Sequence, residues 1–187
     1  MTERDLTGVL VVDKPGLDKP GATAGEAGER PYLLTSHDVV QRVRRWSRQR
    51  RIGHTGTLDP MASGVLVLCL GAATRLVEYY QGHDKHYTAA VTLGVTTDTY
   101  DAVGEVTARC PVGPLDPARI EEVLARFRGE IEQRPPIYSA LKQGGESLHR
   151  KARRGEDVTV EARPVTIYRL DLLSIEAPDR LWLRVEC

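Results

Sequence analysis

The sequence predicts an α+β fold, a mixed, largely antiparallel sheet with flanking helices. Short apolar runs such as "GVLVV" and "GVLVLCLG" are bounded by glycine and proline and have the length of strands rather than helices. Helical periodicity is confined to a few segments, and helices and strands alternate without the regular βαβ rhythm of a parallel sheet. The 187 residues suffice for one domain with a real core and show no internal repeat.

The elements follow in order along the chain. "GVLVVDKPG" reads as a buried strand over 8–12, stopped by Lys14, Pro15 and Gly16. "LDKPGATAGEAGERPY", residues 17–32, lacks any apolar period and predicts a mobile surface insertion. "TSHDVVQRVRRWSRQR" predicts a helix capped by Thr35 or Ser36, with Val39, Val40, Val43 and Trp46 on its packed side and Arg42, Arg45 and Arg48 opposite. "RIGHTGTLDPMASG" is a polar turn leading into the strand "GVLVLCLG". "AATRLVEYYQG" predicts a helix ending at Gly82, "KHYTAAVTLGV" a strand, and "TTDTYDAVGEV" a turn into another. "LDPARIEEVLARFRG" carries the fullest helix signature: Asp116 at the cap, Pro117 in the first turn and Gly129 past the end. "PPIYSALKQGG" forms a rigid entry to a loop, followed by a short basic helix over 147–154. "RPVTIYRLDLLSIEA" and "RLWLRVEC" predict two strands joined at Pro178 and Asp179. The second stops at Cys187 without cap or polar tail, so the chain is expected to be cut short.

Composition narrows the class. A hydrophobic share of 41% and a charged share of 28% are those of a globular protein. No apolar run approaches the ~20 residues needed to span a bilayer. "MTERDLTGVL" has no charged-then-apolar leader, so a cytoplasmic location and no membrane association are expected. Cys69, Cys110 and Cys187 are an odd, widely spaced set that fits a reducing compartment rather than a disulfide scaffold. The formal net charge is zero, but its distribution is uneven. Residues 39–58 hold six arginines (Arg42, Arg44, Arg45, Arg48, Arg50, Arg51) and no acid. A second basic cluster contains Lys142, His149, Arg150, Lys151, Arg153 and Arg154, while acids gather at 26–29, 98–105 and 121–132. Such runs are either solvated helix faces or an electrostatic footprint for phosphates.

Familiar catalytic signatures are absent: no phosphate-binding glycine loop, dinucleotide fingerprint or His-Glu-x-x-His helix occurs. His83 and His86 lack a third convergent ligand, and Ser147 near His149 lacks a nucleophile elbow. Asp59 remains. An Asp-Pro pair in isolation is a turn. Here Gly53, Gly56 and Gly64 allow close approach of a ligand, Thr55 and Thr57 offer hydroxyls, and the following strand anchors the loop. A carboxylate with no second acid nearby suits nucleophilic attack rather than paired acid–base hydrolysis.

At this point the sequence resembles a known family. "GHTGTLDPMASGVLVLCLGAATRL" is similar to the catalytic motif of the TruB family of tRNA pseudouridine synthases. "GVLVVDKP", "TSHDVVQRVRR", "DKHYTAAVTLGVTTDTYDAVGEV", "PPIYSALKQGGESLHRKARRG" and "ARPVTIYRLDLL" match further blocks in order and spacing. The resemblance covers residues 8–187 apart from the 17–32 insertion. It implies a partial pseudouridine synthase catalytic domain over 1–187, without the family's small C-terminal RNA-binding domain.

The implied activity is isomerisation of a uridine in the T-arm loop of tRNA to pseudouridine, with Asp59 as nucleophile. Attack at the base and attack at the sugar C1′ both remain open. Tyr87 matches the tyrosine that stacks on the target base and takes part in the C5 proton transfer. His54 matches the histidine that holds the RNA loop once the base is out. Lys14 and Pro15 match a motif of mainly structural role. The arginine run from Arg42 to Arg51, Arg48 and Arg51 among it, and the basic segment from Lys142 to Arg154 are expected on phosphates of the tRNA T-arm. No cofactor or metal is expected, tRNA is the implied partner, and no obligate protein partner is implied. In the family an arginine pairing with the nucleophilic aspartate lies beyond the segment matching "LWLRVEC". The alternatives are therefore an inactive RNA-binding fragment of such an enzyme and a guide-RNA-dependent relative. The blocks "GVTTDTYDAVGEV" and "YSALK" resemble the stand-alone bacterial type.

Overall fold

The computed structural model describes residues 6–17, 33–135, 142–143, 146–147 and 160–187, with backbone only at 142–143 and 146–147. These residues fall into two compact units, Met1–His83 and Asp84–Cys187. The α+β class holds: every strand pairing among the described residues is antiparallel, distributed over several small sheets.

In the first unit, β1 (Gly8–Lys14) pairs with β3 (Gly64–Leu70), and β3 pairs on its other side with β2 (Ile52–His54). The period-two alternation of β3 sends Leu66, Leu68 and Leu70 into the core with Ile52, Leu10 and Val12. Helix α1 (Ser36–Ser47) covers that face with Val39, Val40 and Val43. Thr35 caps it in a capping box: its hydroxyl accepts from the Asp38 N–H while the Asp38 carboxylate accepts from the Thr35 N–H. After β3 the chain makes a 3-10 turn, Gly71–Leu76, and a short helix α2 (Val77–Gln81).

In the second unit, β12 (Arg180–Glu186) lies between β11 (Arg169–Glu176) and β4 (His86–Thr92). β5 (Val95–Thr97) pairs with β6 (Val106–Arg109), β7 (Gly129–Gln133) with β10 (Arg163–Ile167), and β8 (Lys142–Gln143) with β9 (Glu146–Ser147). Helix α3 (Pro117–Ala125) is capped by Asp116, whose carboxylate accepts from the Ala118 N–H. Its Leu124 packs with Leu170, Leu181 and Leu183.

Several expectations need correction. Trp46 is 74% exposed, not packed: burial falls along α1 from Val39 and Val40 to half-buried Val43, and the last turn runs past the core. The polar turn before β3 contains the short strand β2. The helix expected over 72–81 begins as the 3-10 turn, and Gly82 ends it in the right-handed region. "KHYTAAVTLGV" is divided between β4 and β5. "GEIEQ" is a strand whose acids conceal its half-buried Ile131. "RPVTIYRLDLLSIEA" breaks at Tyr168 into β10 and β11, which pair with different partners. Ser147 belongs to β9 rather than to a helix; the rest of the expected basic helix and residues 18–32 lie outside the described residues.

Candidate active site

The loop joining β2 to β3 carries Asp59, and its course is dictated from both sides. Pro60 supplies the fixed φ of a turn closed by the Ala62 N–H donating to the Asp59 carbonyl at 3.0 Å. Ser36, at the start of α1 and 2% exposed, brackets the residue before Asp59. Its hydroxyl accepts from the Leu58 N–H at 2.9 Å and donates to the Leu58 carbonyl at 3.2 Å. Lys14, fully buried at the end of β1, secures the residue after it. Its ammonium donates to the carbonyls of Pro60 (3.0 Å), Leu34 (3.0 Å) and Pro15 (3.1 Å). Gly16 closes the third side: a Cβ there would meet the Met61 carbonyl oxygen and the Ser63 nitrogen at 2.4 Å. The Leu17 N–H donates to that Met61 carbonyl at 3.0 Å.

Held by neighbours on each side, Asp59 itself is exposed. Among the described residues its carboxylate has no hydrogen-bond or ion-pair partner. The arrangement is rigid backbone and available oxygens, as a nucleophile requires. Cys69 is unsuited to that role, because burial on β3 pushes its thiol pKa up. In the second unit, the Asp101 carboxylate accepts from Thr99 Oγ1 and from the Val103 and Gly104 N–H groups. The Asp98 carboxylate accepts from the Glu105 N–H, so both acids are engaged in shaping their own turn.

His54 closes β2 with its ring half-buried, and its Nδ1 lies 2.8 Å from the Gly56 carbonyl. A carbonyl only accepts, so Nδ1 carries the proton and Nε2 is left as the ring's other polar atom. Arg51 is exposed, and its Nε donates to Thr74 Oγ1 at 2.9 Å. Arg48 caps α1 in a left-handed conformation, φ 52°, and joins Arg44, Arg45, Arg50, Gln41 and Gln49 around an open depression of about 640 Å³. Tyr87 stands on β4 of the second unit, half-exposed and opposite Val185 of β12. Asp59, His54, Arg48 and Arg51 thus share the first unit, and Tyr87 belongs to the second. Charge and motif reading picked out Asp59 and the arginines but not the bracketing role of Ser36, which lies 22 residues from Leu58 and whose only sequence signal was its place at a helix start. Lys14 was read as structural, and its three carbonyl contacts give that reading an atomic basis.

Residues 44–187 match the TruB family pseudouridylate synthase, N terminal domain. The chain belongs to that family, most of its length falling inside the match. It is 45% identical over 158 residues to tRNA pseudouridine synthase B of Caldanaerobacter subterraneus subsp. tengcongensis, covering 84% of this chain and 55% of the relative. It is likewise 45% identical over all 187 residues to the protein of that name from Xanthomonas campestris pv. campestris, covering 55% of it. Against the Ectopseudomonas mendocina protein of the same name the figures are 50% identity over 159 residues, 85% of this chain and 51% of the relative. The chain thus spans about half the length of the curated relatives it matches. Among solved structures, a Cbf5-Nop10-Gar1 complex contains a chain that superposes with a TM-score of 0.57 at 25% identity, over 98% of this chain and 49% of that one. An archaeal box H/ACA sRNP Nop10-Cbf5 complex gives a TM-score of 0.56 at 24% identity over 96% of this chain and 37% of that one, and shows the shared fold.

Proposed function

We propose that this chain is part of the catalytic domain of a cytoplasmic tRNA pseudouridine synthase that isomerises a uridine in the T-arm loop, with Asp59 as the nucleophile. The observation that carries this reading is the Asp59 loop itself. Leu58 is bracketed by Ser36 and Pro60 is secured by Lys14, while the carboxylate between them faces solvent. Membership of a family whose relatives are named tRNA pseudouridine synthase B supports it.

The chemistry asks little beyond a placed carboxylate. Asp59 adds to the target nucleoside, at the base or at C1′, and the glycosidic C–N bond breaks. The uracil turns, a bond forms between C1′ and C5, the C5 proton is removed while N1 gains one, and the carboxylate is released. Atoms and electrons balance within one nucleoside, so no external redox partner or water enters. Tyr87 stacks on the turned base and takes part in the C5 proton transfer. His54, with Nδ1 committed to Gly56, presents Nε2 to the displaced RNA loop. Arg48 and Arg51 hold phosphates, positioning the RNA rather than reading it. Base extrusion costs a few kcal/mol, which stacking and hydrogen bonding in the pocket offset.

A second reading, RNA binding without turnover, is favoured by one observation. Among the described residues the Asp59 carboxylate makes no ion pair that would stabilise its charge as bonds change. Asp59→Asn separates the two. Loss of pseudouridine formation on a tRNA transcript with RNA binding retained supports the enzyme. A wild-type chain that binds RNA and leaves uridine unconverted supports the second reading.

A further inference from the structure

In the sheet formed by β11, β12 and β4, the two outer strands are built differently. β11 is defended as an edge: Arg169, Asp171 and Glu176 punctuate it, and its register with β12 shifts between Leu172 and Ser174. β4 has neither device. Its sequence, HYTAAVT, contains no proline, glycine, lysine, arginine or acid, and it pairs with β12 in unbroken register from Arg180↔Thr92 to Glu186↔His86. Just before it, the Lys85 and Cys187 N–H groups each donate to the other residue's carbonyl, a hydrogen-bonded pair. By the alternation of an antiparallel ladder, Tyr87, Ala89 and Val91 then bond to β12. The backbone N–H and C=O groups of His86, Thr88, Ala90 and Thr92 point away from it. Among the described residues nothing pairs with that outer edge. The core runs out at the same place: Leu181 and Leu183 of β12 are 6% and 9% exposed, whereas Val91 and Tyr87 on the same face of β4 are 37% and 45% exposed.

A regular, uncharged strand with free backbone groups along one side is a template for another strand. The sequence of β4 is complementary to itself in the antiparallel sense. Centred on Ala89, β4 of a second copy sets Tyr87 against Val91, Thr88 against Ala90 and His86 against Thr92. An aromatic against a β-branched side chain is a favourable cross-strand pair, no like charges face each other, and alanine leaves room where the two-fold axis passes. The edge groups match as well. Thr88 and Ala90 of opposite copies exchange N–H and C=O, and so do His86 and Thr92. We infer that the chain forms a two-fold dimer in which β4 pairs with β4 of a second copy, continuing the sheet across the axis. The partner is a second copy because one short segment supplies both halves of the match. This goes beyond the uridine chemistry proposed for the Asp59 loop and does not depend on it.

Sedimentation velocity of the purified chain over a wide concentration range should show a monomer–dimer equilibrium. Ala90→Pro removes an outward N–H and leaves the ladder to β12 intact, since proline is tolerated on that side of an edge strand. It should raise the dimer dissociation constant about 10-fold, one hydrogen bond being lost on each side of the axis, with circular dichroism unchanged. A register test stands apart from that variant. In a background of Cys110→Ser and Cys187→Ser, Ala89→Cys should cross-link to a covalent dimer under mild oxidation. The two positions face each other across the axis at about 4.5 Å between Cα atoms, within disulfide reach. Ala90→Cys should not cross-link, because its counterpart in the second copy stands opposite Thr88. A monomer at every concentration would overturn the inference and leave the β4 edge to a strand of a different polypeptide. So would a dimer that Ala90→Pro does not weaken and that cross-links equally through Ala89→Cys and Ala90→Cys. Pseudouridine formation is measured separately, so either failure leaves the proposed function standing.

Discussion

Asp59 owes its position to residues on either side of it and to its backbone turn rather than to bonds of its side chain. Ser36 satisfies both polar groups of Leu58, and Lys14 anchors Pro60, so each neighbour is held by a buried side chain from a different element. Removing a buried partner leaves its mates unsatisfied, at roughly 1–3 kcal/mol per group. Ser36→Ala should therefore destabilise the protein by about 1–2 kcal/mol, read from the urea midpoint, and should accelerate amide exchange at Leu58 more than at Thr55. Lys14→Ala orphans three carbonyls and should cost more, about 3–5 kcal/mol. A Lys14→Ala midpoint within experimental error of wild type would contradict the anchoring role. The family motif made Asp59 legible in the sequence. The bracketing was not, because Lys14 and Ser36 reach it across 46 and 22 residues, through contacts that only the folded chain creates.

At the scale of elements, capping and turn chemistry carried most of the information. The Thr35 cap and the Asp116-Pro117 helix start are local devices, complete within a few residues, and they appear where the sequence placed them. Thr35→Ala should cost about 1 kcal/mol, seen as a lower denaturation midpoint. Gly16→Ala should be more damaging than its size implies, because the new methyl meets backbone atoms of residues 61–63 that cannot rotate away. Helix α3 is stapled to β11 by Arg128, which donates to the Leu170 carbonyl and to Glu121. That hydrogen bond holds the Glu121 carboxyl below its ordinary pKa. A lowered folded-state pKa means stability present above the carboxylate range and lost as pH falls through it. The stability difference between wild type and Glu121→Gln should therefore exist at pH 7 and disappear in acid. Trp46 shows where element-level reading stopped. Its spacing matches the apolar side of α1, but periodicity does not record how far along a helix the core extends. The break at Tyr168 escaped for a related reason: alternation continues through "RPVTIYRLDLL", while the two halves pair with different strands.

For the whole molecule, class and family were readable and the arrangement was not. Short glycine-bounded apolar runs announced antiparallel sheets, and several motifs in order announced the family. How the strands divide between two units depends on long-range pairing, such as β12 with β4, that no local pattern encodes. The proposed function rests, at this scale, on uneven charge in a chain of zero net charge. RNA affinity should fall steeply with salt, and charge reversal at Arg48 and Arg51 should weaken it and flatten the dependence. The most direct test of the central claim is pseudouridine content of a tRNA transcript after incubation with the wild-type chain and with Asp59→Asn, RNA binding being measured in parallel. The account predicts conversion of a T-arm uridine by the wild type and none by the variant, both binding RNA equally. Conversion that persists in Asp59→Asn would contradict it.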